Sequence, residues 1–171
     1  MEKALKVIND LLEQGIIKKY AIGGGIAAIF YMEPILTYDV DIFVVPAEEN
    51  DGLLVLSSLY EYLKKKGYYP DKEHIVIEGF PVQFLPVFNE LIDEAVNEAV
   101  EKKYKGINTK VMKVEYLIAI MLQTYRPKDK ERVLKALNEA EIDRELLEKI
   151  LEKFNLKKIF DKIYGGHDAS W

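Results

Sequence analysis

The spacing of apolar residues divides the chain into a mixed first part and a helical last part. Helical spacing predicts a first helix over 3–14, which Gly15 ends. Strict alternation over 39–45 predicts a strand that places Asp39, Asp41 and Phe43 on one face. The same reasoning predicts further strands over 20–22, 75–78, 82–86 and 107–112, and helices over 26–32, from Asn50 or Asp51 to 66, and from Asn89 to 102.

The last third of the chain has helical spacing throughout, over 114–125, 128–140, 143–154 and 156–164. The first of these helices carries an apolar stripe, which is too wide to leave in water. The stripe consists of Val114, Leu117, Ile118, Met121 and Leu122. We therefore expect an α+β protein, with a mixed β-sheet flanked by helices over 1–112 and a helical C-terminal part over 113–171 packed on it as one compact unit.

Composition narrows the chemistry that the chain can perform. Its 171 residues include no cysteine and two histidines, which excludes disulfides, thiolate catalysis and zinc–thiolate sites and leaves little material for a histidine-based centre. The net charge of −5 argues against nucleic-acid binding driven by overall charge. No apolar run is long enough to cross a bilayer, and the amphipathic first helix does not resemble a signal peptide. We expect a cytoplasmic protein that uses carboxylates, cationic side chains or backbone amides.

Two neighbouring features predict a binding site. Gly23 and Gly24 stand between a strand and a helix, where glycine lets the backbone approach an anion and amides are unpaired. Asp39 and Asp41 share one strand face at a separation of roughly 7 Å, an arrangement that can hold Mg²⁺ together with phosphate. Either feature alone is commonly a plain turn or a solvated strand end. Together they predict a site for a nucleoside triphosphate and its metal.

A cluster of cationic residues has two interpretations. It consists of Arg126, Lys128, Lys130, Arg132 and Lys135 around one predicted turn. The cluster either cradles the phosphates of a nucleotide or an RNA, with Arg126 and Lys128 as the preferred members, or forms a solvated helix start. His74 begins a predicted strand, and we interpret it as a structural or solvated residue rather than a ligand.

The motifs around the glycines and the aspartates resemble a known superfamily. Gly23-Gly24-x-x-Ala27, followed by the run from Thr37 through Asp39 and Asp41 to Val44, resembles the core of the DNA polymerase β-like nucleotidyltransferases. The match is closer to the AbiEii-like branch, which includes toxins of type IV toxin–antitoxin systems. The stretches 81–86 and 115–129 also resemble that branch, so that the resemblance spans residues 18–135.

This resemblance implies a fold, a reaction and a set of site residues. It implies binding of a nucleoside triphosphate with Mg²⁺ or Mn²⁺ and transfer of a nucleotide to an acceptor, which is an RNA, a protein or a small molecule. Asp39 and Asp41 are the implied catalytic residues and metal ligands. The implied nucleotide-binding residues are Gly23, Gly24, Thr37, Arg126 and Lys128. An antitoxin protein is an implied partner.

One departure from the superfamily leaves an alternative open. Active members add a third carboxylate from a neighbouring strand, and the matching position here holds Gln83, whose amide takes no proton near neutral pH. Glu78, across a tight turn, is a candidate substitute. A catalytically lapsed module that binds nucleotide or protein is therefore the alternative. A dinucleotide-binding unit is a third alternative, because residues 23–28 match its glycine pattern. It ranks last, because such a unit has its acidic residue at the end of the second strand, whereas Asp39 and Asp41 stand at the beginning of theirs.

Overall fold

The computed structural model describes residues 1–47 and 56–165, and the predicted cap at Asn50 or Asp51 lies outside them. The predicted alternation of strands and helices is present, and the last third is helical. The helices are α1 (Glu2–Glu13), α2 (Gly24–Ala28), α3 (Ser57–Lys65), α4 (Glu90–Asn97), α5 (Val114–Thr124), α6 (Pro127–Glu139), α7 (Arg144–Lys153) and α8 (Lys157–Tyr164). The strands are β1 (Ile17–Ile22), β2 (Val40–Pro46), β3 (Pro70–Asp71), β4 (His74–Ile77), β5 (Phe80–Pro86), β6 (Val100–Tyr104) and β7 (Ile107–Val111).

The strands form one mixed sheet in the order β3-β4-β5-β2-β1-β7-β6. The central strand β2 pairs antiparallel with β1 and parallel with β5. Buried residues alternate with half-buried or exposed ones along β4 and β5, whereas Ile42, Phe43 and Val44 of β2 are all buried. The face that carries Asp41 and Gln83 also carries Phe43 and Leu85, and we call it the polar face because it holds the polar residues of the site.

The C-terminal helices pack on the rest of the chain through α5, as its apolar stripe predicts. Val114, Leu117, Ile118 and Leu122 are buried, and α5 contacts α2 and α4 on one side and α6 and α7 on the other. The break between α5 and α6 comes from Tyr125, which adopts the left-handed conformation, and from Pro127 at the first turn of α6. These observations confirm the α+β class with a mixed sheet flanked by helices.

The prediction was wrong around residues 98–102. Asn89 caps α4 as predicted and accepts a bond from the Ile92 amide at 2.8 Å, but the helix ends at Asn97. Val100–Tyr104 instead forms the edge strand β6, which pairs antiparallel with β7. The cause is the two-residue turn Lys105-Gly106, in which both residues have positive φ and which therefore closes a hairpin. The helical spacing of apolar residues continues into residues 98–102, a short charged segment, and this led to the wrong prediction of a helix there.

Two smaller differences affect the site. The helix predicted over 26–32 begins earlier and is only five residues long, as α2. Asp39 lies one residue before β2, so its backbone is not part of a strand. Among the described residues, no helix is long and apolar enough to cross a membrane.

Candidate active site

The glycine turn and the aspartate strand are in direct contact. The Gly23 amide donates a hydrogen bond to the Asp41 carbonyl oxygen at 2.9 Å. Gly24 has φ +56, and a Cβ atom at this position would lie 1.8 Å from Oδ2 of Asp41. Only glycine satisfies both the left-handed backbone and this close approach. The structure therefore explains why a glycine turn precedes this particular pair of aspartates.

The surroundings of the two neighbouring glycines, Gly23 and Gly25, also leave no room for a side chain. A Cβ atom at Gly23 would lie 2.5 Å from the Phe43 ring, and one at Gly25 would lie 2.7 Å from Oγ1 of Thr37. The Thr37 hydroxyl donates to the Asp39 carbonyl oxygen at 3.3 Å. Thr37 therefore connects the start of α2 with the segment that carries Asp39.

The two aspartates differ in their surroundings. Asp41 is half-buried, and burial together with the charge of Asp39 raises its pKa to about 6, although Arg126, Lys128 and His74 act in the opposite direction. The Asp39 side chain is about one-third exposed, and its Oδ2 lies 3.3 Å from Nε2 of His74. Burial and the neighbouring Asp39 charge both disfavour the ionised form of Asp41, and a cation bound between the two carboxylates would offset both effects.

The position expected for a third carboxylate is occupied by Gln83, as the sequence indicated. Gln83 is the register partner of Asp41 in the parallel ladder between β2 and β5, so the two side chains share a face. Glu78, the candidate substitute, sits in the β4–β5 turn with φ 51, and its carboxylate accepts a hydrogen bond from the Tyr68 hydroxyl at 2.7 Å. Because Glu78 is engaged with Tyr68, we expect it not to serve as the third carboxylate.

Arg126 is held by a buried aspartate that the sequence pattern did not single out. The Asp129 side chain is 0% exposed, and it accepts bonds from Nε of Arg126 at 2.7 Å and from its Nη2 at 3.1 Å. The Arg126 amide and the Thr124 hydroxyl donate to the same carboxylate, at 3.2 and 2.8 Å. Burial raises the pKa of Asp129, but these bonds outweigh it, and the pKa lies below its ordinary value.

The predicted cationic cluster divides in two. Arg126 and Lys128 lie close enough to Asp41 to lower its pKa, and Lys128 is exposed. Arg132 donates to the Leu36 carbonyl oxygen at 3.2 Å and lines the same cleft as Asp41. Lys135 instead pairs with Glu139 at 2.7 Å, and Lys130 lies over the Tyr125 ring at 4.3 Å. Three of the five cations therefore face the candidate site.

A cleft of about 280 Å³ opens beside Asp41, between the polar sheet face and the helices α4, α5 and α6. Its walls are largely apolar, and its polar part comes from the groups described above. The lining residues that matter here are Gly24, Asp41, Gln83, Phe88, Arg126 and Arg132. A mostly apolar cleft with a few convergent polar and charged groups is the usual form of a small-molecule site, and this volume lies near the lower end of the usual range.

The donor set limits what metal could bind. Within the described part of the chain, no group of three or more histidine, aspartate or glutamate side chains is arranged to hold a metal ion by itself. Two neighbouring carboxylates remain, Asp39 and Asp41, which lie close enough for the charge of Asp39 to raise the pKa of Asp41. This set fits Mg²⁺ or Mn²⁺, which are commonly held by one or two carboxylates with the phosphates of a substrate as further ligands.

Comparison of the whole chain with solved structures identifies its class of fold. It superposes on the solution structure of the antibiotic-resistance factor ANT(2″)-Ia with a TM-score of 0.54 at 15% identity, covering 96% of each chain. The crystal structure of ANT(2″)-Ia in complex with adenylyl-2″-tobramycin gives a TM-score of 0.56 at 15% identity, with 90% of this chain and 98% of that chain covered. The chain therefore has the nucleotidyltransferase fold.

A third neighbour has the same class of fold. The crystal structure of an antigenic nucleotidyltransferase-like protein from Paracoccidioides brasiliensis gives a TM-score of 0.54 at 14% identity, covering 94% of this chain and 91% of that chain. No protein-family model and no curated protein sequence matches the chain. The dinucleotide-binding alternative is excluded by topology, because β1 and β2 are antiparallel whereas such a unit joins parallel strands through its helix.

Sequence reasoning found most of the residues that meet here and missed two. The sequence pattern indicated Gly23, Gly24, Asp39 and Asp41. The structure brings both glycines against Asp41, and Asp39 lies near enough for its charge to raise the pKa of Asp41. Sequence reasoning gave no part in the site to His74, which lies against Asp39. It also passed over Asp129, although an aspartate three residues after an N-cap position is a signal for a helix start that fixes its neighbour.

Proposed function

We propose that the chain is a divalent-metal-dependent nucleotidyltransferase, which binds a nucleoside triphosphate and transfers its nucleotide to an acceptor. The observation that carries the proposal is the contact of the glycine turn with the aspartate strand. Gly24 has no room for a side chain because its backbone lies against the Asp41 carboxylate. Such closeness serves a ligand that contacts both the backbone amides and the carboxylates, and a metal-bound triphosphate is that kind of ligand.

The anion is bound by local groups in this proposal. Because α2 has only five residues, the contribution comes from the amides of the turn at Gly23 and Gly24, with Thr37 beside them, and not from a long helix dipole. Lys128 and the outer face of Arg126 supply positive charge from the other wall of the cleft. The apolar part of the cleft, including the exposed ring of Phe88, provides a surface for a nucleobase.

Asp39 and Asp41 would hold the cation, and its chemistry there is to neutralise the triphosphate and make the α-phosphorus more electrophilic. The chain's own contribution is to orient the two carboxylates. Asp41 is fixed by its place in the β2 ladder and by the bond from Gly23 to its carbonyl oxygen. Asp39 precedes the strand and is held by its neighbours.

The acceptor must react without a carboxylate at position 83. Gln83 takes no proton, so the acceptor is activated by another group or reacts through its own acidity. The resemblance to the AbiEii-like branch supports an RNA or protein acceptor and a toxin opposed by an antitoxin protein. The neighbour ANT(2″)-Ia carries adenylyl-2″-tobramycin. The cleft beside Asp41 is mostly apolar and contains two arginines, so we expect a cationic aminoglycoside such as tobramycin to be a poor acceptor here.

The experiment that tests this function is thermal unfolding with each nucleoside triphosphate, with and without Mg²⁺. A ligand at about 100 times its dissociation constant stabilises the fold by roughly 2.7 kcal/mol. We expect a rise in melting temperature that requires Mg²⁺ and disappears in Asp39→Asn/Asp41→Asn. Asp161→Asn, which removes an exposed carboxylate from α8, is the matched control and should behave as wild type. Equal stabilisation of the double variant would show that the site is elsewhere.

Gln83 favours a second candidate function, a module that binds nucleotide or protein without transfer. Turnover separates the two. Wild-type protein is incubated with α-labelled nucleoside triphosphates and candidate RNA or protein acceptors, and labelled product and pyrophosphate are measured. Metal-dependent binding without labelled product or pyrophosphate from any acceptor would favour the module.

A further inference from the structure

His74 lies in a row of three polar side chains on adjacent strands. Ile75 of β4 pairs with Val82 of β5, so the antiparallel ladder places His74 level with Gln83. Gln83 in turn pairs with Asp41 of β2. The burial pattern supports a common face, because Ile75 and Ile77 are buried while His74 and Val76 are not. The register of the sheet therefore brings the imidazole to the edge of the aspartate pair.

Asp39 needs an orienting partner more than Asp41 does. Asp41 is a ladder residue, whereas Asp39 lies in the bend before β2. Two side chains reach it from outside the strand. Thr37 donates to its backbone carbonyl oxygen, and His74 Nε2 approaches its carboxylate Oδ2 at 3.3 Å. The remaining carboxylate oxygen is the one that can turn towards a cation.

The direction of the His74 contact follows from the chemistry of the two groups. An ionised carboxylate only accepts hydrogen bonds, so Nε2 carries the hydrogen and donates it to Oδ2. A donor on one carboxylate oxygen fixes the rotation of the whole group. In metal sites, partners of this kind set the orientation of the ligands, and their removal typically weakens metal affinity about 10- to 100-fold.

We propose that His74 is a positioning residue, which holds the carboxylate of Asp39 in the orientation that binds the divalent cation. The inference rests on the proposed function, because it assigns His74 a part in the metal site of that function. This role also explains why a polar residue follows Gln83 in the row across the sheet. His74 stands on β4, one strand beyond Gln83, and acts on Asp39 instead of on the acceptor.

The test is Mn²⁺ binding to the full chain, measured by electron paramagnetic resonance with Mn²⁺ alone. We expect His74→Ala to weaken the affinity by about 10-fold or more, and His74→Gln, which keeps a donor at similar reach, to recover most of it. In an Asp39→Asn background, His74→Ala should change the affinity no further. His167→Ala, which removes the chain's other histidine, controls for Mn²⁺ bound by imidazole alone and should equal wild type.

Each outcome decides something. Equal affinities of wild type and His74→Ala overturn the positioning role and leave the proposed function standing. An equal loss of affinity in His74→Ala and His74→Gln also overturns it, because a hydrogen-bond donor at position 74 would then not be sufficient to orient Asp39. Wild-type Mn²⁺ binding that is no stronger than that of Asp39→Asn/Asp41→Asn overturns this inference, whereas the proposed function is decided by the Mg²⁺-dependent shift in melting temperature with triphosphate, whose phosphates are further ligands. Melting temperatures without metal show whether each variant folds, and His74→Gln gives the answer if His74→Ala does not.

Discussion

Asp41 and Gln83 are partners in the parallel ladder between β2 and β5, so a carboxylate and a carboxamide stand side by side on the polar face of the sheet. The two side chains are placed so that both could contact one substrate, but only the Asp41 carboxylate can carry a negative charge. Gln83 can donate or accept a hydrogen bond, but it cannot remove a proton from an acceptor. In the proposed function, this difference means that the acceptor must lose its proton without help from the side chain at position 83.

Gln83→Glu should therefore increase nucleotide transfer. A general base in position commonly accelerates proton transfer by about 10²–10⁴-fold, and we expect an increase of at least about 10-fold because the new carboxylate shares its face with Asp41. The measurement is the rate at which the label of an α-labelled triphosphate appears on the acceptor, with the unlabelled pyrophosphate released assayed alongside. Glu78→Gln is the matched control. It should leave the rate unchanged, since Glu78 is engaged with Tyr68 at the turn. An unchanged rate in Gln83→Glu would show that proton removal does not limit transfer.

Gly24→Ala should abolish triphosphate binding and destabilise the fold. The new Cβ would lie 1.8 Å from Oδ2 of Asp41, and the backbone at φ +56 is strained for alanine. Gly67→Ala separates these two effects, because Gly67 also has positive φ, at +88, but a Cβ atom there would meet no other atom within 4 Å. We expect about 1 kcal/mol of destabilisation for Gly67→Ala from strain alone and at least about 2 kcal/mol for Gly24→Ala.

Denaturant unfolding of the two glycine variants provides the comparison, together with the Mg²⁺-dependent shift in melting temperature. Gly67→Ala should keep that shift because Gly67 follows α3, away from the glycine turn. Equal destabilisation of the two variants would mean that the Asp41 side chain moves away from a Cβ atom at position 24 without cost.

Asp41→Asn should stabilise the metal-free protein near pH 8. Burial raises the pKa of Asp41 to about 6 in the folded state, above its ordinary value of 3.8. Between these two values the folded state binds more protons than the unfolded state, so stability falls as the pH rises from about 4 to about 6. A shift of about two units corresponds to at most about 3 kcal/mol, and solvent around this half-buried group reduces it to about 1–2 kcal/mol.

Urea unfolding of wild type and Asp41→Asn from pH 4 to 8 tests this expectation. The two stabilities should diverge between pH 4 and 6 and stay apart above it. Asp161→Asn, in an exposed position on α8, should follow wild type at every pH. Parallel curves for wild type and Asp41→Asn would show that burial does not penalise the ionised form of Asp41.

Much of the fold could be predicted because its signals are local. The Gly15 helix end, the Asn89 cap and the apolar stripe of α5 each act within a few residues. β6 could not be recognised in the same way, because Val100–Tyr104 is a half-exposed edge strand with little hydrophobic alternation. Its existence depends on the Lys105-Gly106 turn and on pairing with β7, of which only the turn has a local signature.

The site was predictable only where its residues are close in sequence. Gly23 and Asp41 are connected through one short helix and one loop, and the motif spacing contains both. His74 reaches Asp39 through two ladder steps across β5, and nothing near His74 in the chain indicates that register. The partner of Glu78 was equally hard to foresee, because its positive φ in the β4–β5 turn and its bond from Tyr68 are visible only in the folded chain.

Asp129→Asn should destabilise the protein and do so more than the same substitution at an ordinary helix cap. The Asp129 carboxylate is fully buried, and its bonds from Arg126 and Thr124 hold its pKa below the ordinary value despite burial. The Arg126 side chain is about half exposed, so solvent screens part of the lost charge interaction, and the new amide retains part of the hydrogen bonding. We therefore expect a loss of about 1–3 kcal/mol, from the hydrogen bonds of a charged, buried acceptor. Asp143→Asn, at the exposed N-cap of α7, should change the stability little, because asparagine caps a helix about as well as aspartate.

The pH dependence of the Asp129 effect has a defined sign. A carboxylate whose folded-state pKa is lowered contributes its stability above the unfolded-state value of 3.8, and this contribution is lost as the pH falls through the folded-state pKa. The difference between wild type and Asp129→Asn should therefore be constant from about pH 5 to 7 and shrink below about pH 4. Urea unfolding over that range measures it. A difference that instead grows as the pH falls from about 6 to about 4 would mean that the folded-state pKa of Asp129 is raised, so that the bonds from Arg126 and Thr124 do not outweigh its burial.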